Sequence, residues 1–227
     1  MSLDSLLHPW SGATYRHIPN GSPHGLLDLR FTGRGGDNRW NHLSEPTLYL
    51  ASDAAVALAE FARHMRIDRL ALAPRERSLF QLDVALDAVL DLRDPQVHAA
   101  LSITNPPTCF LDKGIARAVA ELIRRSTSVT AIVVPSVAFL DDRDRWNLVL
   151  FLEKLPTNPN EFIRSVQARG TFTVAARVAP PEHPRTSGPT NGELVASRRP
   201  LHFRLPSRRS CKNSLQVAAS AISPSAY

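Results

Sequence analysis

The sequence predicts one α+β domain followed by a flexible tail. Three observations lead there. Apolar runs of strand length stand at 46–52, 130–136 and 147–153; helical spacing is confined to 53–66 and 112–125; and strands and helices do not alternate as a doubly wound sheet requires. A length of 227 residues holds one sizeable core and would crowd two.

Taken in order, "ATYRHIP" (13–19) alternates weakly and ends at a proline, which predicts a short strand bearing Arg16 and then a turn in "NGSPHG". "GRGGDNRWN" (33–41) reads as a glycine-rich loop. "PTLYLAS" (46–52) reads as a strand, after which Ser52 or Asp53 caps the alanine-rich helix "DAAVALAEFARHMR" (53–66), with Glu60 at its middle. "LFQLDVALDAVLDLRD" (79–94) predicts one or two strands that Pro95 terminates, and residues 96–110 read as irregular. In "DKGIARAVAELIRR" (112–125), Ile115, Val119, Leu122 and Ile123 share the expected apolar face, and the closing arginines suit a helix C-terminus. "TAIVVPS" (130–136) and "NLVLFLE" (147–153) are apolar strands joined by the charged turn "FLDDRDRW".

The net charge of +6 is unevenly spread. Residues 176–227 hold eight basic and two acidic residues, leaving 19 of each sign in residues 1–175. The body, 1–175, is therefore neutral, and the tail, 176–227, is basic, rich in Pro and Ser, and without periodicity, which predicts disorder. Nucleic-acid contact through the tail is expected to be weak. The first residues, "MSLDSLLHPWSG", lack the basic start and apolar run of a signal peptide, and no later run has membrane-spanning length, so the expected compartment is the cytoplasm. Cys109 and Cys211 form neither a disulfide framework nor a metal cluster, and no metal or bound cofactor is expected.

Familiar motifs are excluded by their spacing. "GRGGDN" lacks the last glycine of a dinucleotide fingerprint and the lysine of a P-loop. "EFARH" has one histidine where a metalloprotease helix needs two. "DDRD" (141–144) reads as a solvated turn. Glu60 is different: flanked by apolar "AVALA" and "FA", an unpaired carboxylate there is costly to bury and needs a partner or a cleft. Arg39 has Trp40 or a local acid as neighbours, Tyr49 is suited to a strand, and Ser136 follows Pro135 at a strand end.

The ordered set "YRH", "GGDNRWN", "PTLYLAS", "ALAE", an amphipathic helix, "VPS" and "NLVLF" resembles the RES-domain family, named for arginine, glutamate and serine, from about residue 13 to residue 175. The resemblance places the family's arginine at Arg16, its glutamate at Glu60 and its serine at Ser136, with Arg39 and Tyr49 matching its second arginine and its tyrosine. It implies a fold like that of ADP-ribosyltransferase toxins and an enzyme that degrades NAD as substrate. The partner it implies is a helix-turn-helix antitoxin of the Xre type, which would carry any main contact with DNA.

The residue chemistry suits that reaction. Breaking the nicotinamide–ribose bond develops positive charge on the sugar, which Glu60 would stabilise. Arg16 and Arg39 would hold the diphosphate through planar, permanently charged donors. Tyr49 would stack on nicotinamide, and the Ser136 hydroxyl would bond ribose or nicotinamide or position an accepting water or inorganic phosphate. Protein ADP-ribosylation and an inactive, partner-binding RES scaffold are the alternatives. The loop departs from the family's "GGRWN" by carrying Asp37 and Asn38, and an aspartate there is expected to repel phosphate.

Overall fold

The computed structural model describes residues 2–30, 32–67 and 75–175; the tail expected over 176–227 lies outside them. Strand β1 (His8–Pro19) runs antiparallel to β3 (Arg75–Asp91), from His8 opposite Val89 to Pro19 opposite Arg77. Strand β2 (Thr47–Ala51) is antiparallel to β5 (Trp146–Phe151), and β5 to β4 (Ala131–Pro135). Strand β4 lies parallel to the end of β3, and the Tyr15–Ala51 pair joins β1 to β2. Five strands thus close a barrel in the order β1-β2-β5-β4-β3, and β6 (Ile163–Val174) lies antiparallel along the first half of β3. Among the described residues three α-helices complete it: α1 (Ala54–Ile67), α2 (Pro95–Ala100) and α3 (Lys113–Ser126).

The core follows the strand period. In β4 every residue is buried: Ile132 and Val134 pack in one cluster with α3 and Phe110, while Ala131 and Val133 join the other with Leu82, Leu148 and Leu150. Covered on both faces, such a strand reads as the continuous apolar run seen in the sequence. Thr14 is fully buried in β1, and its hydroxyl donates to the Leu82 carbonyl at 3.1 Å, so the polar atom is satisfied.

Several expectations need correction. Strands β1 and β3 start earlier than their alternation shows and are single, long partners of one another. Pro95 begins a helix rather than ending structure: Asp94 Oδ1 accepts from Gln96 N at 2.8 Å, and a proline in the first turn has no N–H to leave unpaired. The segment 96–110 therefore opens with α2 and ends in a 3-10 turn, Thr108–Leu111, where Cys109 is buried. The buried stripe of α3 is Ala116, Val119, Ala120 and Ile123; Leu122 is 47% exposed. Strand β6 is exposed along nearly all its length and gave no apolar signal.

Gly33 sets how close the glycine-rich loop lies to β2. Its φ is +74°, and a Cβ would stand 2.4 Å from the Thr47 carbonyl oxygen, so only glycine lets the loop lie against β2.

Candidate functional site

A cleft of about 400 Å3 opens between β1, β2, α1 and the glycine-rich loop. Arg16, Arg39, Tyr49 and Glu60, named on separate segments of the sequence, all line it. Helix α1 presents Glu60 there because Asp53, one of the two expected caps, accepts from Val56 N at 2.9 Å and fixes the helix start at the end of β2.

The fifth residue, Ser136, is fully buried just beyond β4 and does not line the cleft. Its hydroxyl donates to Glu60 Oε1 at 2.6 Å. The Ala138 N–H and Asn147 Nδ2 donate to the same oxygen at 3.2 and 3.3 Å. Three donors converge on Oε1 and, among the described residues, none on Oε2, which fixes the carboxylate's orientation while leaving one oxygen outside that network.

Arg16, on β1, donates through Nη1 to the Leu26 carbonyl and through Nη2 to Thr32 Oγ1 at 3.4 Å. Desolvation lowers its pKa to about 10, so it stays charged at neutral pH. Arg39 Nη1 donates to the carbonyls of Phe110 and Leu111, the latter at 3.0 Å, and burial, followed by the neighbouring Arg63, lowers its pKa as well. Trp40, 3% exposed, also lines the cleft and packs its ring 5.0 Å from that of Phe110; among the described residues no Arg39–Trp40 stack is found.

Tyr49 has a structural task that the sequence did not show. Its hydroxyl donates to Asn41 Oδ1 at 2.7 Å and accepts from Trp40 N at 3.2 Å. Burial pushes its pKa well above the usual tyrosine value, keeping it a neutral donor. Asn41 Nδ2 in turn donates to the carbonyls of Gly33 and His42 at 2.9 and 2.8 Å. The strand tyrosine thereby holds the loop that carries Arg39.

Two further cations, Arg63 and Lys113, line the cleft and were not singled out in the sequence. Arg63 stands three residues beyond Glu60 on α1, a neighbouring position on the helix surface, and that spacing was the available signal. Arg16, Arg39, Arg63 and Lys113 form no ion pair with a carboxylate among the described residues, whereas Arg30, Arg93, Arg117, Arg124, Arg125 and Arg145 each do. Glu60 is the one carboxylate among the lining residues. Asp37 is absent from the lining: its Oδ2 lies 2.7 Å from Arg117 Nη1, so the charge expected to repel phosphate is taken up by an ion pair.

Next to Arg16 on β1 and also lining the cleft, His17 accepts from Arg77 Nε at Nδ1, 3.0 Å away, and its ring lies 4.9 Å from that of Phe61. Burial first, then Arg77 and Arg16, lower its pKa to about 4, against a hydrogen bond with the Ala57 backbone that raises it. The folded protein thus excludes a proton that the unfolded chain binds below about pH 6.5. Stability should fall as pH drops from there toward 4, by roughly 3 kcal/mol from this group. Urea denaturation between pH 7 and 4.5 should show a shallower decline for His17→Gln than for the wild type.

Among the described residues no group of three or more His, Cys, Asp and Glu is arranged to hold a metal, and no helix is long and apolar enough to cross a membrane.

Comparison with known proteins adds the following. A family model described as the RES domain matches residues 14–174. No curated protein sequence matches the chain. Among solved structures, the crystal structure of the M. tuberculosis MbcT–MbcA toxin–antitoxin complex is similar, with a TM-score of 0.54 and 22% identity over 77% of this chain and 90% of that one. That likeness shows a shared fold.

Proposed function

The chain belongs to the RES-domain family, and from that premise we propose that it is a toxin-like enzyme that degrades NAD by cleaving the nicotinamide–ribose bond. One observation carries the reading: four cations with no carboxylate partner among the described residues line a cleft whose single lining carboxylate is held by three donors. A dinucleotide asks for that distribution. Its diphosphate carries negative charge, and its reacting ribose becomes positive as neutral nicotinamide leaves.

In this reading Arg16 and Arg39 hold the diphosphate, and their fixed guanidinium groups need little reordering on binding. The Tyr49 ring stacks on the nicotinamide. Glu60 Oε2 faces the sugar and stabilises the oxocarbenium-like transition state, a preorganised charge aimed where charge develops. Water or inorganic phosphate accepts the ribosyl carbon from the opposite face. The cleft then works as those of ADP-ribosyltransferases do. An Xre-type helix-turn-helix antitoxin is the proposed partner, supported by the toxin–antitoxin complex in the similar structure, and the cytoplasm is the proposed compartment.

Ser136 becomes a positioning residue, with Asn147 and the Ala138 N–H beside it. Ser136→Ala should lower kcat about tenfold and leave KM within about twofold, the pattern of an interaction that acts in the transition state. A rise in KM without loss of kcat would instead mark a ligand contact.

NAD labelled in its adenosine half tests the assignment. Label in free ADP-ribose identifies water as acceptor, label in its 1-phosphate identifies phosphate, and label on protein identifies ADP-ribosyl transfer. Label remaining in NAD, with folded protein, would favour a scaffold that only binds a partner.

A further inference from the structure

The loop that carries Arg39 is tied along α3 at three points. Asp37 Oδ2 lies 2.7 Å from Arg117 Nη1, His42 Nε2 lies 3.4 Å from Glu121 Oε2, and Glu45 Oε2 lies 3.8 Å from Arg124 Nη1. The helix partners stand at 117, 121 and 124, the spacing of a single helix face, and they are met in chain order by loop residues 37, 42 and 45. Asp37 Oδ1 also accepts from the Leu43 N–H at 2.8 Å, folding the loop back on itself. Arg39 sits between the first two ties, with its own donors on the Phe110 and Leu111 carbonyls just ahead of α3.

We propose that this ladder, with the Asp37–Arg117 pair as its first rung, is a positioning device that sets Arg39 for its anion; the inference rests on the cleft being the NAD site. The loop begins with Gly33, Gly35 and Gly36, whose backbone freedom would otherwise have to be lost each time a ligand bound. One exposed ion pair orders little by itself. Two ion pairs and the His42–Glu121 contact, in register on one short segment, restrict the same backbone together, and Arg39 arrives at the ligand already oriented. Asp37, one of the two residues by which this loop departs from the family pattern, supplies the first tie.

The sign of one substitution separates this from simple charge repulsion. Removing a negative charge near an anion site should lower KM, whereas loosening the ladder should raise it. Asp37→Asn is suited to the purpose, because the amide oxygen still accepts from Leu43 N–H and only the ion pair is lost. Steady-state kinetics on NAD with the full chain, for Asp37→Asn, Arg117→Gln and the double variant, read the effect. Each single variant should raise KM roughly three- to tenfold, with kcat within about twofold and the double variant no worse than either single one. Hydrogen exchange of peptides covering 36–45 should be faster in all three.

An unchanged or lowered KM for Asp37→Asn, or single effects that multiply in the double variant, would overturn the ladder. A wild type that consumes no NAD would sink the functional reading alone. In that event the exchange measurement still decides: faster exchange over 36–45 supports the ladder, and unchanged exchange overturns it.

Discussion

Glu60→Gln is expected to slow nicotinamide release at least about 10³-fold while the melting temperature and KM stay near their wild-type values. The expectation comes from what the substitution preserves. The glutamine carbonyl oxygen accepts from Ser136, Ala138 and Asn147 where Oε1 does now, so shape and anchoring persist and only the charge is removed. A preorganised charge aimed at a developing opposite charge is among the largest single contributions an enzyme makes, about 10²–10³ for one oxyanion-hole donor and more for a full charge. Quenched-flow or mass-resolved kinetics measure the rate. A Glu60→Gln protein keeping more than a tenth of the wild-type rate would remove Glu60 from the chemistry.

Arg16→Lys is the second large effect, expected to lower kcat/KM for NAD about 100-fold. Lysine keeps the charge but loses the planar fork, and Arg16 uses that fork to bond the Leu26 carbonyl and Thr32 while still facing the cleft. A guanidinium whose pKa burial lowers to about 10, and which no carboxylate among the described residues neutralises, is expensive to fold around. Its presence costs stability, a cost that the proposed binding of the diphosphate would offset. Arg16→Met should accordingly lose NAD affinity, read by calorimetry, at an equal or higher melting temperature.

The site was legible where one residue type had one demanding task. Glu60 stood out because an apolar helix segment gave it no local partner, and Arg16 and Arg39 because their order matched a family pattern. What stayed hidden depended on pairs far apart in the chain. Asn147 and Ser136 reach Glu60 across 87 and 76 residues, and no local pattern announces that convergence. Asp37 looked harmful because its partner, Arg117, lies on a helix eighty residues away. For the fold, β4 and β5 were readable from continuous apolar runs and α3 from its spacing. The weak alternation of "ATYRHIP" underestimated β1, whose length is set by pairing with β3. Strand β6, mostly exposed, owes its form to backbone pairing with β3 and carried no apolar code to read. Leu122 shows the limit of a helical wheel, which gives the angle of a side chain but not the edge of the surface it meets.

We propose that this cleft breaks the nicotinamide–ribose bond of NAD. The most direct test of that proposal is a mass-resolved time course of NAD with purified wild-type protein, with and without inorganic phosphate. Stoichiometric nicotinamide with ADP-ribose or its 1-phosphate is the predicted result. NAD that stays constant in both conditions, with folded protein free of any bound inhibitor, would contradict it.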